Sequence, residues 1–218
     1  ARLGGFWDSM LGEGRRWWII AGSDSHHHYT EGGKDFWPGE YSKTYVYAEK
    51  NYDDILMNMR AGHIFVTTGD LVSELYVRAE IVGQSRKAAI GETLEISKGD
   101  NVRITVTFLD PETPNANGQN SRVGRVDLIT GLITGKVKDK NTDVNPTTVV
   151  IGRYGPGDWQ VQNGYKSFSY ILGNVIHDRY IRVRGTNTSQ LEPQIDIEGE
   201  NPWDDLWFYS NPVFIKVH

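Results

Sequence analysis

The chain of 218 residues carries a formal charge of -5, no cysteine, 38% hydrophobic and 23% charged residues, the balance of a globular protein with room for one large domain or two small ones. The lack of cysteine removes disulfides, thiolate metal sites and cysteine nucleophiles together, and the scattered Lys and Arg form no basic stripe of the kind that binds nucleic acid. No apolar run approaches the ~20 residues that span a bilayer, so no membrane span is expected.

The opening, Ala-Arg-Leu-Gly-Gly-Phe-Trp, has neither an initiator Met nor a signal peptide, which suits a mature or excised product. Phe6, Trp7, Met10 and Leu11 fall at helical spacing, and Gly12 and Gly14 close the segment. Trp17 to Ala21 predicts a strand buried on both faces, as the strands of parallel barrels are. Thr44 to Tyr47 predicts a second strand. Asn51 is a good N-cap for a helix with Asp53 and Asp54 in its first turn, with Ile55, Leu56 and Met59 as its apolar face and Gly62 just past its end. Arg60 and His63 flank that C-terminus, where cations are favoured, and Ile64 to Thr68 predicts a third strand.

From about Leu71 the texture becomes all-β. Leu75–Val77, Val102–Thr107, and stretches around 126–133, 147–151, 167–172, 180–183 and 213–217 alternate with period two, and turn clusters such as Ser97–Asp100 and Gly155–Asp158 separate them. About eight short strands at this spacing indicate a sandwich or barrel. Residues 111–122, polar and rich in Asn and Gly, read as a mobile loop. The expected fold class is therefore α+β: a partial α/β segment over 1–70, then an all-β, Ig-like sandwich over 71–218.

The chemistry concentrates in Ile20-Ala21-Gly22-Ser23-Asp24-Ser25-His26-His27-His28, at the carboxyl end of the first predicted strand, where α/β barrels gather their catalytic groups. Asp24 and His26, two residues apart in extended chain, share a side and can reach one ion with a carboxylate oxygen and an imidazole nitrogen. Gly22 would let the backbone turn tightly beneath the metal. Local chemistry alone leaves an ordinary polar loop equally open.

Gly22-Ser23-Asp24-Ser25-His26 resembles the last metal-binding motif of the polymerase-and-histidinol-phosphatase (PHP) superfamily, and Met59-Arg60-Ala61-Gly62-His63-Ile64-Phe65-Val66-Thr67 with Gly69-Asp70 is similar to the helix and strand that close its barrel. Residues 17–70 carry the resemblance well. The β-rich end, with Tyr180–Thr186 and Trp207–Val213, is similar to the C-terminal β-domain of some secreted or phosphoesterase-like members. The resemblance implies that Asp24 and His26 ligate divalent zinc, manganese or iron in the intact protein, and that a metal-bound hydroxide attacks a small phosphorylated substrate.

The family's other ligands, a His-x-His pair, a Glu and further histidines, have no counterpart here: Asp8 and Glu13 are the only carboxylates before Asp24, and no His precedes it. Two donors leave vacant coordination positions, so this chain alone is expected to be inactive and to need a missing N-terminal barrel half, in trans or from a second copy. A periplasmic or secreted setting is slightly favoured.

His27, His28, Tyr29 and Glu40 are candidates for a substrate mouth, against the reading of a plain polar loop. Asp139, Asn141 and Asp143 alternate like calcium ligands but lack the glycine and glutamate of a full calcium loop. Trp203, Trp207, Phe208 and Tyr209 suit a core anchor better than a carbohydrate surface. The rival reading of the whole chain is a non-catalytic sandwich module that binds glycan, protein or a cell surface.

Overall fold

The structure is a computed structural model that describes residues 1–32, 35–194 and 199–218. Helix α1 (Phe6–Gly12) ends at Glu13, after which Gly14 turns left-handed at φ 80°. Helix α2 (Tyr52–Ala61) forms where its caps predict: the Asn51 side chain accepts the Asp54 N–H, and Gly62 ends it at φ 81° while donating to Asn58 and Met59 carbonyls. Around α2 lie β1 (Ser42–Val46) and β2 (Ile64–Thr68). Then follow β3 (Glu74–Ile81), β4 (Lys87–Ala89), β5 (Thr93–Ile96), β6 (Val102–Leu109), β7 (Arg125–Leu132), β8 (Val149–Tyr154), β9 (Gln160–Gln162), β10 (Tyr165–Leu172), β11 (Arg179–Thr186), β12 (Trp207–Ser210) and β13 (Val213–Val217).

The fold is mostly β, with two sheets packed face to face. The smaller has the order β4-β3-β6-β10-β9, antiparallel throughout. The larger runs β1-β2-β12-β11-β13-β5, with β7 on the far side of β11 and β8 beyond it; only β5 and β13 pair parallel. Alternation decides which face each strand buries. Leu75, Val77, Ala79 and Ile81 of β3 and Val102, Ile104, Val106 and Phe108 of β6 point inward against Ile181, Val183, Phe208 and Val213 of the larger sheet. Each such Val, Leu, Ile or Phe side chain contributes about 1.5–3 kcal/mol of burial, so this continuous core dominates stability.

Strands β1 and β2 run antiparallel, and β2 pairs with β12, so residues 42–68 extend the larger sheet directly. Phe36 and Phe65 enter the common core, with Tyr29, Tyr41 and Tyr45 packed against it.

The opposite face of β11 is unusual. Tyr180, Arg182, Arg184 and Thr186 alternate away from the core, yet each is fully buried: α1 packs on Tyr180 and Arg182, and Leu191 and Glu192 close on Arg184. Asp8 on α1 takes Arg182 in a bidentate pair, while Arg184 holds Asp127 and Glu192.

Two expectations change here. Residues 17–21 join no sheet and are not buried on both faces: Trp17 is 47% and Ile20 65% exposed. Residues 111–122 are folded around the buried Asn115, which donates to the Gly69 carbonyl and accepts from the N–H groups of Asn117 and Gln119. None of the described helices is long and apolar enough to cross a membrane.

Candidate functional site

The segment leading to the Asp24 motif is an extended chain with one satisfied edge. Ile19 exchanges hydrogen bonds with the Asn211 side chain (2.8 and 3.2 Å), and Ala21 with the Thr44 hydroxyl (2.8 Å each way). Ile19 and Ala21 pack over Val66, Trp207 and Tyr209 on the outer face of the larger sheet. The main-chain groups of Trp18 and Ile20, which point to the other edge, have no partner among the described residues. Side chains thus replace one neighbouring strand, and the place of the other is open. Phe6 and Trp17 extend the exposed apolar surface beside Ile20, their rings 5.8 Å apart edge to face.

Past Ala21 the chain enters the motif. The left-handed residue is Asp24 at φ 44°, and not Gly22, which has open space where a Cβ would stand; Asp is among the few side chains that tolerate this region. The Asp24 carboxylate is exposed and takes part in no hydrogen bond or ion pair among the described residues. His26 is also exposed, its side chain at 82%. Asp35, in a short parallel bridge with His28, gathers the loop: its carboxylate accepts the main-chain N–H groups of His26 and His27 (2.7 Å for the latter), and His26 Nδ1 lies 3.4 Å from it. Partial desolvation pushes the Asp35 carboxyl up, but these N–H donors and the His26 ring outweigh it and hold it below its ordinary value.

The four mouth candidates separate. His28 Nε2 faces Glu40 at 2.9 and 3.1 Å, its Nδ1 meets the Thr30 hydroxyl at 2.5 Å, and its ring stacks on Trp37 at 5.5 Å. With Nε2 donating to Glu40, Nδ1 accepts from Thr30. Glu40 also accepts the Trp37 N–H at 3.0 Å. His28 and Glu40 are therefore bound up in holding the loop. Tyr29 stacks on Phe36 at 5.1 Å and packs on the core. His27 stays exposed beside His26.

Beside the motif lies an open groove of about 520 Å³ along Ala21–Ser23, Pro38–Gly39 and Ser42–Tyr45. Lys43 lines it, held at 2.5 Å by Asp70, itself left-handed at φ 53°. Lys43 does not stand out by sequence spacing as a partner of this site, whereas Asp35 lies in the 32–39 loop that the sequence places over it. Only the pairing of β1 with β2 brings Lys43 near Asp70, and only loop closure brings Asp35 beneath the histidines.

The other candidates lie apart. Asp139 accepts the Asn141 N–H of its own loop at 2.9 Å, and Asp139, Asn141 and Asp143 are all exposed. Trp203 and Trp207 are 4% and 5% exposed, so they serve as core anchors and offer no flat surface to a sugar. No cluster of three or more His, Asp or Glu side chains among the described residues is placed to hold a metal ion. Asp24 and His26 are a hard oxygen and a borderline nitrogen donor, suited to zinc, manganese or iron in kind; in number they fall short of the roughly four donors that zinc takes. No family model matches the sequence, and no curated protein matches it.

Proposed function

We propose that this chain is one part of a metal-dependent, phosphoesterase-like hydrolase related to the PHP superfamily, lending Asp24 and His26 to a metal centre completed by donors from a partner segment. The observation that supports this reading is the extended segment 17–21. It leads into Asp24 and His26, among the described residues it is hydrogen-bonded on one edge only, and its apolar Ile20 and Trp17 are exposed. A strand added along Trp18 and Ile20 would satisfy those main-chain groups, cover the apolar surface and bring further side chains beside the motif. Residues 17–32 then carry the barrel-like metal motif, while residues 42–68, whose strands lie in the larger sheet, belong to the sandwich. A bound divalent metal supplies Lewis acidity and a water acidified for attack on phosphorus. Asp24 and His26 contribute two donors, Asp35 fixes the backbone that presents His26, and the groove along Gly22, Ser23 and Lys43 gives a small phosphorylated substrate a place to lie.

The rival reading of a binding module for glycan, protein or cell surface loses Trp203 and Trp207 as contact residues, since both are buried. Native mass spectrometry of the protein isolated from its source, paired with elemental analysis for zinc, manganese and iron, tests the proposal. A complex larger than this chain with stoichiometric metal, lost in Asp24→Ala, supports it. This chain alone without metal overturns it.

A further inference from the structure

A second concavity has no part in that reading. A cavity of about 230 Å³ opens between the end of β1, the turn after α2 and the smaller sheet, and it shares no lining residue with the groove beside Gly22. Tyr47 and Tyr76 form its aromatic side, ring centroids 5.8 Å apart and inclined at 46°. Val77 and Ile90, 1% and 3% exposed, supply apolar surface. An engineered apolar cavity of ~150 Å³ takes up benzene, so this volume admits one six-membered ring carrying a substituent.

The polar groups around that apolar surface have a definite character. Asn58 donates through Nδ2 to the Asp54 carbonyl at 2.9 Å, which turns its Oδ1 to His63 Nδ1 at 2.6 Å. The His63 proton therefore sits on Nδ1, and Nε2 is the uncommitted nitrogen. The Tyr47 hydroxyl is buried without a hydrogen-bond partner among the described residues, and burial pushes it above the ordinary tyrosine range. Tyr76, by contrast, donates to Glu74 at 2.7 Å. The lining carboxylate, Glu92, accepts the Ala89 N–H at 2.7 Å. Arg78, exposed on β3, forms no ion pair among the described residues. The cavity thus offers a ring-sized apolar space and, in Arg78, a guanidinium with no ion pair among the described residues, whose fork suits a carboxylate.

We propose that this cavity binds a small aromatic carboxylate of the benzoate type, its ring against Tyr47, Tyr76, Val77 and Ile90 and its carboxylate on Arg78. The site is independent of the metal reading and stands whether or not that reading holds. The test is a titration of the isotope-labelled chain with benzoate, followed by amide chemical shifts, with phenol as the ring that lacks a carboxylate. Saturable shifts confined to the amides of Val77, Ala89 and Ile90 are expected, weaker by about tenfold or more for phenol and for Arg78→Ala. Ala89→Trp, at an exposed position of the cavity mouth, should abolish them. Absence of saturation up to about 10 mM benzoate, equal affinity for phenol, or undiminished binding by Arg78→Ala or Ala89→Trp overturns the proposal.

Discussion

Asp8 and Arg182 meet in a bidentate ion pair, Nε to Oδ1 at 2.8 Å and Nη2 to Oδ2 at 2.6 Å, with both side chains at 0% exposure and 174 residues apart in sequence. The Tyr180 hydroxyl adds a hydrogen bond to Oδ1 at 3.1 Å, and Gly4 N–H one to Oδ2 at 2.8 Å. The pair clamps α1 to the outer face of β11. Removing one partner strands the other as an uncompensated buried charge, which costs about 3–5 kcal/mol. Asp8→Ala should therefore lower the unfolding free energy by that amount in denaturant titrations. The double variant Asp8→Leu/Arg182→Met should cost clearly less than the sum of the two single changes. Additive losses would mean that the two groups do not act as a pair.

Helix α2 separates a cap from a backbone constraint. Asn51→Ala removes the acceptor for the Asp54 N–H and should cost about 1 kcal/mol. Gly62→Ala should cost more, because Gly62 sits at φ 81° and an added Cβ would stand 2.4 Å from the Trp18 ring. Trp18 also donates from Nε1 to the Arg60 carbonyl at 2.8 Å, so its ring has little freedom to withdraw. Thermal melts of the two variants give the order; a Gly62→Ala protein as stable as Asn51→Ala would contradict the crowding.

These two features differ in how far the sequence reveals them. Asn51, Gly62 and the alternation of Leu75–Val77 and Val102–Thr107 are local signals, and the helix and strands form there, with β3 and β6 running on to Ile81 and Leu109. The strands of three or four residues, β4, β5, β9 and β12, are too short to show a period. Trp17–Ala21 has the composition of a buried strand, but whether such a run lies inside a sheet depends on neighbours. Here its partners are side chains, one of them Asn211 at a separation of 192 residues. Arg182 and Arg184 alternate as a solvent face would, and only the packing of α1 on the first and of Leu191 and Glu192 on the second buries them. In the candidate site the Asp–x–His spacing is visible in sequence. The diversion of His28 and Glu40 into a loop lock is not, since it needs the Trp37 stack and the closure by Asp35.

Acid should act through Glu192. Its carboxylate holds Arg184 at 2.6 and 2.7 Å and accepts the Leu3 N–H at 3.0 Å. Desolvation pushes the carboxyl up, but these partners outweigh it and keep it below its ordinary 4.5 in the folded chain. A depressed folded value means that the unfolded chain takes up the proton first. The stabilisation is then complete above pH 4.5 and lost as pH falls through the lower folded value. Glu192→Gln should therefore be less stable at neutral pH and lose less on acidification below 4.5. Parallel stability profiles for the two proteins would show that Glu192 carries no proton linkage.

The free edge of residues 17–21 predicts a split between folding and assembly. Ile20 is 65% exposed and its main-chain groups are unpaired among the described residues, so Ile20→Lys should change the stability of the isolated chain by no more than about 0.5 kcal/mol. If a partner strand docks there, the buried lysine charge should abolish assembly in size-exclusion chromatography of the complex. Asp24→Ala and His26→Ala, also at exposed positions, should likewise spare stability but leave assembly intact while removing metal. His28→Ala breaks the contacts to Glu40, Thr30 and Trp37, so it should loosen the loop and weaken metal affinity without abolishing it. The proposal therefore needs three outcomes in order: lost assembly for Ile20→Lys, lost metal in an intact complex for Asp24→Ala, and weakened metal for His28→Ala. An Asp24→Ala complex that keeps its full metal content would remove Asp24 from the centre, whatever the other two variants show.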